Sequence, residues 1–280
     1  MKILSLFDGI SCARVALERA GIPVSIYYAS EIDKYAIQVS NKNFPTPKVM
    51  HIGDVTKIHG GVLGEIGIDL LVGGSPCQDL SIAKKDRKGL DGERSGLFWE
   101  YVRILKEVKP KYFILENVAS MSKESKDLIS EIVGVQPIMI DAKLLSAQSR
   151  KRYFWTNIPN VTQPQDKGII VDDILVRNVD TKYFMNDVQI SGVEKSNYQD
   201  RKPYILGVDK KIGTIKIGGD VKRIVNYDKK WRYLTPVEYE RLQGLPDNYT
   251  EGVSNTQRYK CCGNAFNVDV VAHILSFIPR

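Results

Sequence analysis

Short apolar runs alternate with stretches of helical periodicity over the first half of the chain. The runs are four to seven residues long, and the stretches between them repeat apolar residues at helical spacing. The runs predict strands at Lys2–Phe7, Ser25–Glu31, Val49–Ile52, Asp69–Gly73, Tyr112–Leu115, Pro137–Ile140 and Tyr153–Thr156. The intervening stretches predict helices at Cys12–Ala20, Asp33–Asn43, Ser95–Val108 and Lys123–Val133. This alternation indicates βαβ units and an α/β fold with a doubly wound, mostly parallel sheet.

The pattern changes in the second half. Helical periodicity fades over Pro159–Lys230, where Gly, Pro, Asn and Asp separate short β-prone runs such as Ile212–Ile217 and Arg223–Tyr227. A helix is expected to resume at Thr235, which opens a capping box with proline at the first helical position. The amphipathic stretch Val268–Ile278 is expected to pack back on the first domain. A smaller, irregular and β-rich domain is therefore predicted after the sheet.

Composition excludes several classes of protein. Of the 280 residues, 43% are apolar and 26% charged, which excludes disordered, collagen-like and coiled-coil chains. No apolar run approaches the ~18 residues that span a bilayer, and Asp8-Gly9 comes too early for a signal peptide, so no membrane partner is expected. The four cysteines lack framework spacing and the three histidines have no ligand spacing with them, which predicts a cytoplasmic protein without a metal.

Positive charge is concentrated in one part of the chain. The net charge is +7, and the segment Lys182–Arg232 holds 12 basic and 6 acidic residues, so that 12 − 6 = +6 lies there. A charge excess is usually a solvated surface, but this one also suits a polyanionic partner.

The first strand ends in a tight turn, Phe7-Asp8-Gly9, and Glu31 ends the next strand. The separation of Glu31 from Gly9, 31 − 9 = 22, is near the ~20 residues at which an acid meets a ribose hydroxyl in nucleotide-binding βαβ units. The turn lacks the second glycine that lets a pyrophosphate approach. This favours S-adenosylmethionine over a dinucleotide, with a structural turn and a surface acid as the alternative.

Three further groups follow predicted strands. Asp54 is placed to accept from an adenine amino group, or to cap the next turn. Cys77 stands in Gly73–Gln78, where glycines allow close approach of a substrate, so it is a candidate nucleophile or a small core residue. The charged segment Ala83–Gly96 that follows is long enough for a lid that touches phosphates. Glu116 suits a proton donor to a ring nitrogen, or a hydrogen-bonded structural acid.

Taken in order, these motifs resemble those of the DNA cytosine carbon-5 methyltransferases. The motifs are Phe7-Asp8-Gly9, Glu31, Gly53-Asp54, Ser75-Pro76-Cys77-Gln78, Glu116-Asn117-Val118, Gln148–Arg152 and Gly263-Asn264-Ala265. The core further resembles that of the animal de novo enzymes, and the short chain suggests a bacterial or phage protein. One departure is Ser11-Cys12, where many relatives have further glycines.

The resemblance implies a Rossmann-like domain that transfers methyl from S-adenosylmethionine, leaving S-adenosylhomocysteine, to carbon 5 of a cytosine flipped out of double-stranded DNA. Cys77 would attack carbon 6. Glu116 would hold or protonate nitrogen 3, Arg152 would bind the oxygen at position 2, and Arg150 would support the same pocket. Such contacts stabilise the charge that develops during the reaction.

The resemblance also implies a set of cofactor contacts, and a set of DNA contacts is predicted beside it. The cofactor would contact Phe7, Asp8, Gly9, Glu31, Ile32, Asp54, Val55, Ser75, Pro76, Asn264 and Ala265. The residues predicted to contact DNA are Gln78, Ser81, Lys84, Lys85, Arg87, Lys210, Lys211 and Lys222.

Residues 1–158 plus 258–280 are expected to form the catalytic domain, and 159–257 the target-recognition domain and hinge. The enzyme is expected to act on DNA in a bacterial cell, within a restriction–modification context, and a monomer is favoured. One alternative is a tRNA cytosine methyltransferase, a branch that usually carries a Cys-Phe-Thr motif absent from this sequence. The other is an inactive DNA-binding homologue, against which the intact Cys77, Glu116 and Arg152 argue.

Overall fold

A seven-stranded sheet forms the centre of the computed structural model, which describes residues 1–75, 96–195, 205–215, 224–227 and 230–279. Its strands are β1 (Lys2–Leu6), β2 (Ile26–Ser30), β3 (Met50–Gly53), β4 (Leu70–Gly73), β5 (Tyr112–Val118), β6 (Ile138–Asp141) and β7 (Lys151–Thr156). They lie in the order β3-β2-β1-β4-β5-β7-β6, and β7 runs antiparallel to both of its neighbours while the other pairs are parallel. The mostly parallel α/β sheet is confirmed.

Helices cover both faces of the sheet. Along the first two thirds of the chain they are α1 (Cys12–Arg19), α2 (Lys34–Asn43), α3 (Gly60–Ile66), α4 (Gly96–Val108), α5 (Lys123–Val133), α6 (Val171–Ile174) and α7 (Asp187–Lys195). The last three are α8 (Pro236–Leu242), α9 (Asn255–Asn264) and α10 (Val268–Leu275). The predicted helices are all present, with each end within three residues of its predicted position, whereas α3, α6, α7 and α9 were not predicted.

Alternate residues of each strand pack into two separate cores. On β1, Ile3 points to the core formed with α1, α2 and α10, while Leu4 points to the core formed with α3, α4 and α5. On β4, Leu70 and Leu71 divide in the same way. The apolar runs are continuous because both faces of a parallel sheet are buried.

The register of the strands sets one line across the sheet. Pairing aligns five residues in one row: Gly53, Ser30, Leu6, Gly73 and Leu115. The residues that immediately follow this row are Asp54, Glu31, Phe7, Gly74 and Glu116. The groups predicted to bind or react therefore meet at one edge of the sheet, where α/β folds bind their ligands.

Strand β5 is longer than the apolar run predicted. Glu116 pairs with Phe154 and Val118 with Arg152, so the Glu-Asn-Val motif lies within the strand rather than after it. The polar residues continue the strand because antiparallel β7 supplies their ladder hydrogen bonds.

The second half of the chain forms a smaller, three-stranded sheet. Its strands are β8 (Ile205–Gly207), β9 (Ile224–Tyr227) and β10 (Lys230–Tyr233), in the order β10-β9-β8. The predicted strand Ile212–Ile217 is wrong over its described part, where Ile212 makes only an isolated bridge with Gln148. Ile212 and Ile215 are instead buried in a third core with α6 and α8, because their apolar side chains pack there without a partner strand.

The predicted domain boundary falls inside α9. Leu245 and Tyr249, which belong to the predicted second domain, are buried in the core that contains α1 and α10. Ala147, from the predicted first domain, is buried in the third core. The division at residues 158 and 257 stays a prediction, and the two parts share cores along their junction. None of the helices in the described ranges is long and apolar enough to cross a membrane.

Candidate active site

The loop that follows β1 has an unusual backbone conformation. Phe7, Gly9 and Ser11 all have positive φ, at 55°, 61° and 62°, which two non-glycine residues adopt only at a cost. A Cβ atom placed on Gly9 would meet nothing within 4 Å, so open space lies beside the loop. Phe7 is half-buried at the edge of this space. A ligand can therefore approach the backbone of this turn closely.

Glu31 joins this loop to the end of β2. Its Oε2 accepts from Gly9 N–H at 2.8 Å, and its Oε1 accepts from the N–H groups of Ile32 and Asp33, both at 2.8 Å. A carboxylate has about four lone-pair positions, so one stays available on this count for a hydroxyl group. Ile32 beside it is 74% exposed, an uncommon state for a large aliphatic side chain, and offers an apolar surface at the same edge.

Asp8 lies beneath the loop and not on its open side. It is buried, and it accepts from the hydroxyls of Ser11 and Tyr27, each at 2.6 Å. Burial raises the pKa of Asp8 to about 6, against the opposing effect of these hydrogen bonds. The predicted cofactor contact of Asp8 stays a prediction, and its observed side-chain contacts hold the loop.

Asp54 caps the short turn after β3. Its Oδ1 accepts from Thr56 N–H at 2.9 Å, and this hydrogen bond lowers the pKa of Asp54. Val55 is buried, and its carbonyl accepts from the guanidinium of Arg103 at 3.1 Å. The capping role of Asp54 is thus present, and it fixes the turn that carries the predicted adenine contact.

Glu116 and Arg152 form an ion pair at the centre of the site. Arg152 Nε lies 2.7 Å from Glu116 Oε1, and their side chains are 15% and 13% exposed. A Cβ atom placed on Gly74 would lie 3.0 Å from Glu116 Oε2, and 2.7 Å from the ring of Phe266. The carboxylate therefore sits against the backbone three residues before Cys77, where only glycine fits.

Two further residues support this backbone, and the sequence reasoning did not assign them. Asn117 is buried, and its amide donates to the hydroxyl of Ser75 at 3.3 Å. Phe266 packs beneath Gly74. Asn117 lies within the predicted motif Glu116-Asn117-Val118, and Phe266 directly follows the predicted motif Gly263-Asn264-Ala265, which was the only signal for them in the sequence.

Arg150 is buried and holds three carbonyl groups. Its guanidinium donates to the carbonyl of Ala265 at 3.0 Å, of Gly263 at 3.3 Å and of Ile215 at 3.5 Å. It therefore joins β7 to the end of α9 and to the third core. Ala265 is buried, and Asn264 is exposed at the last position of α9.

Two residues of the C-terminal part also escaped the sequence reasoning. The hydroxyl of Tyr249 donates to the carbonyl of Ile10 at 2.7 Å, which ties the loop after α8 to the cofactor loop. The buried amide of Gln243 donates to the carbonyl of Cys262 at 2.6 Å. Neither side chain belongs to a pattern with a chemical signature, so the sequence carried no signal for them.

The two described lysines of the predicted DNA set differ. Lys210 is exposed. Lys211 lies 3.1 Å from Asp166 and also donates to the carbonyl of Lys143, so its ammonium group braces the protein. Several predicted residues lie outside the described ranges, namely Pro76, Cys77, Gln78, Ser81, Lys84, Lys85, Arg87 and Lys222. In the described part of the chain, no three His, Cys, Asp or Glu residues are grouped as metal ligands.

Comparisons with known proteins agree with this geometry. The family model for C-5 cytosine-specific DNA methylases matches residues 1–197 and 140–280. Type II methyltransferase M1.ScrFI of Lactococcus lactis subsp. cremoris is 31% identical over 96% of this chain and 76% of its own length. Type II methyltransferase M.NlaX of Neisseria lactamica is also 31% identical, over 98% of this chain and 94% of its own.

A solved structure extends the comparison to the fold. The Dnmt2 methyltransferase of S. pombe has a TM-score of 0.77 at 21% identity, and the match covers 99% of this chain and 97% of that one. Family, enzyme class and the methyl donor S-adenosylmethionine are thereby confirmed. The chain belongs to the C-5 cytosine-specific DNA methylase family.

Proposed function

We propose that this enzyme methylates carbon 5 of a flipped-out cytosine in double-stranded DNA through a covalent bond to Cys77. The observation that carries the proposal is the Glu116–Arg152 ion pair, which lies against Gly74, three residues before Cys77. An acid and a guanidinium held together against the backbone that leads into the Cys77 motif suit the recognition of a cytosine edge.

Each side chain of this group has a distinct task. The thiolate of Cys77 forms a bond to carbon 6 and is expelled when the proton at carbon 5 is lost. Glu116 holds a proton at nitrogen 3, and Arg152 donates to the oxygen at position 2, which stabilises charge that develops on the ring. Arg150 acts as a positioning residue, since its guanidinium is occupied by carbonyl groups of the chain.

The cofactor site fits an adenosyl group. When bound, S-adenosylmethionine supplies an electrophilic methyl group. Glu31 has a lone pair free for a ribose hydroxyl, and exposed Ile32 offers an apolar face for adenine. The open space beside Gly9 accepts the remaining part of the molecule. Phe7, Asp54, Val55, Ser75 and Asn264 border the same edge, and we assign them to this site.

The basic segment between the motifs is proposed to read the DNA. It contains the three-stranded sheet and α7, and it carries the concentration of positive charge. Phosphate contacts from this segment would orient the duplex, while base contacts would select the site. Double-stranded DNA is favoured over tRNA because the relatives that match the whole length are named type II methyltransferases.

The test is transfer of a labelled methyl group to duplex DNA and, in parallel, to tRNA. Wild-type enzyme should label DNA only, and Cys77→Ala should abolish labelling while it leaves S-adenosylhomocysteine binding intact. DNA that contains 5-fluorocytosine should trap the wild-type enzyme covalently, because fluorine cannot leave carbon 5 as a proton does.

Cys262→Ala is the matched control. Cys262 is fully buried in the third core, and burial raises the pKa of its thiol, so this change should leave transfer in place. Labelling of tRNA in preference to DNA would overturn the choice of substrate, and turnover by Cys77→Ala would overturn the mechanism.

A further inference from the structure

A line of polar side chains, all buried except the half-buried His51, runs from the third strand to the cofactor loop. Ser40 on α2 lies between the two ends, with its Oγ 3.1 Å from His51 Nε2 and 2.6 Å from Ser11 Oγ. Ser11 in turn donates to Asp8 Oδ2 at 2.6 Å, and Tyr27 donates to Asp8 Oδ1 at 2.6 Å. We name this line the polar chain; its members are His51, Ser40, Ser11, Asp8 and Tyr27.

Asp8, which accepts from both Ser11 and Tyr27, fixes the direction of every hydrogen bond in the polar chain. An ionised carboxylate can only accept, so the Ser11 hydroxyl must donate to Asp8. Ser11 has a single proton, and Ser40 must therefore donate to Ser11. Ser40 has then spent its proton too, and it accepts from His51 Nε2–H.

This order predicts the tautomer of His51. With the proton on Nε2, the other ring nitrogen, Nδ1, is a bare acceptor. Nδ1 is buried and has no hydrogen-bond partner in the described part of the chain. A buried acceptor without a partner costs less than a buried N–H without one. Burial also lowers the pKa of His51, which keeps the ring neutral at neutral pH.

The polar chain ends at the part of the cofactor loop that is conformationally costly. Ser11 has a φ of 62°, and Phe7, at the start of the same loop, has a φ of 55°. Such conformations persist only where surrounding contacts over-determine them. The Ser11 hydroxyl, held between Asp8 and Ser40, supplies contacts of this kind.

We propose that the polar chain positions the Phe7–Ser11 loop for S-adenosylmethionine, and that Ser40 and His51 are positioning residues for the methyl donor although neither touches it. The inference rests on the proposed cofactor site. It adds two residues from α2 and β3 to the set that determines cofactor affinity.

Acid reverses the direction of hydrogen bonds in part of the polar chain. A protonated Asp8 must donate to one of the two hydroxyls, so the hydroxyl of Ser11 or Tyr27 has to turn its proton away and accept instead. Burial raises the pKa of Asp8 to about 6, and the charged or titratable groups that face it are Glu31, Tyr27, Cys12 and Tyr249. Cofactor affinity should therefore fall as the pH drops below about 6.

The first experiment compares two buried serines. Ser40→Ala breaks the polar chain at its middle, and Ser130→Ala removes an equally buried hydroxyl on α5 that contacts the carbonyl of Lys126 and the indole of Trp155. Calorimetry with S-adenosylhomocysteine should show about 3- to 10-fold weaker binding for Ser40→Ala, the worth of one hydrogen bond. Ser130→Ala should bind as wild type does. Equal affinity in both variants, or equal loss in both, would overturn the inference.

The second experiment needs no cofactor and no variant beyond an assignment. Nitrogen-15 spectra of histidine-labelled wild-type enzyme at pH 7.5 should show His51 protonated at Nε2 and bare at Nδ1, with His51→Gln identifying its signals. The opposite tautomer would overturn the direction of the polar chain. Absence of any cofactor binding by wild-type enzyme would instead contradict the proposed function, and the spectra would still decide the inference.

Discussion

Acidic side chains with different partners lie at the centre of the site. Glu116 is paired with the guanidinium of Arg152, which compensates its charge directly. The side chain of Asp8 accepts only from hydroxyls among its described contacts, so the effect of burial is only partly offset and the pKa rises to about 6. A carboxyl group beside a cation suits charge stabilisation, whereas one held by hydroxyls suits the ordering of a loop.

Replacement of Glu116 tests its chemical role. Glu116→Gln keeps the shape of the side chain but removes its acid, so the single-turnover rate of methyl transfer should fall by about 10²- to 10⁴-fold. The affinity for S-adenosylhomocysteine should stay within about twofold of wild type, because Glu31 and Phe7 do not depend on Glu116. An unchanged single-turnover rate would show that Glu116 is structural.

Replacement of Asp8 tests the electrostatic cost of its burial. The pKa of Asp8 in the folded protein, about 6, lies above the ordinary aspartate pKa of 3.8. Asp8 therefore stabilises the fold below about pH 4, and this stabilisation is lost as the pH rises through 6. Asp8→Asn removes the charge, and it should raise the melting temperature at pH 8 by at least ~2 °C but not at pH 4. Cofactor affinity should fall at pH 8 and change little at pH 4, because the amide donates to a hydroxyl of the polar chain as a protonated Asp8 does. A lower melting temperature at pH 8 would contradict this.

At the scale of elements, the cofactor edge is braced from outside by helices. Arg103 on α4 donates to the carbonyls of Val55 and Ile58 and pairs with Glu100 and Glu107 of its own helix. Lys260 on α9 lies 2.7 Å from Asp33. Asp33 is two residues after Glu31, which holds the ribose in the proposed site. The turns that bear the cofactor contacts are thus fixed by neighbours on their far side.

Loss of the Arg103 brace should act on the cofactor. Arg103→Gln is expected to weaken S-adenosylhomocysteine binding about 3- to 10-fold, because the turn at Asp54 loses two carbonyl contacts. The kcat at saturating S-adenosylmethionine should change little.

Arg241→Gln provides the matched control for this prediction. Arg241 is 32% exposed against 33% for Arg103, and it likewise donates to two carbonyl groups and pairs with an acid. This variant should lose stability without a change in cofactor affinity. A similar loss of affinity in both variants would refute the local brace.

For the whole molecule, the order of the chain creates one shared framework. The C-terminal part returns to the first core, where Tyr249 contacts Ile10 across 239 positions of sequence. Arg150 holds the end of α9 from the sheet. The cofactor loop, the strand with Arg152 and the last helices therefore form a continuous unit.

The two described lysines of the predicted DNA surface differ in their surroundings, since Lys210 is exposed and Lys211 pairs with Asp166. Lys210→Ala should reduce the slope of log affinity against log salt concentration by about one, as expected for one lost phosphate contact. Lys211→Ala should change that slope less and lower stability instead, because Lys211 pairs with Asp166. Equal slopes for Lys210→Ala and wild type would remove Lys210 from the DNA surface.

The ordered motifs alone identified the family, the methyl donor and the edge of the sheet that forms the site. The motifs and the strands can both be recognised from short stretches of sequence. A buried strand is an apolar run, and the residue after the run lies at its end. This is why Glu31, Asp54 and Glu116 could be predicted at this edge before any contact was known, although Glu116 lies within β5 and not after it. Helices α3, α7 and α9 were missed because glycines and polar residues weaken their apolar periodicity.

Only the tertiary structure decided which side chains meet. The pairing of Glu116 with Arg152 depends on an antiparallel strand inserted into a parallel sheet, and the contact of Ser11 with Ser40 depends on where α2 lies relative to the loop after β1. Such contacts join residues tens to hundreds of positions apart, and a hydroxyl or amide has the same sequence signature whether it faces water or a buried partner. The sequence therefore determines which reactive and binding side chains are present, but the hydrogen bonds that hold these side chains in place form only when distant elements pack together.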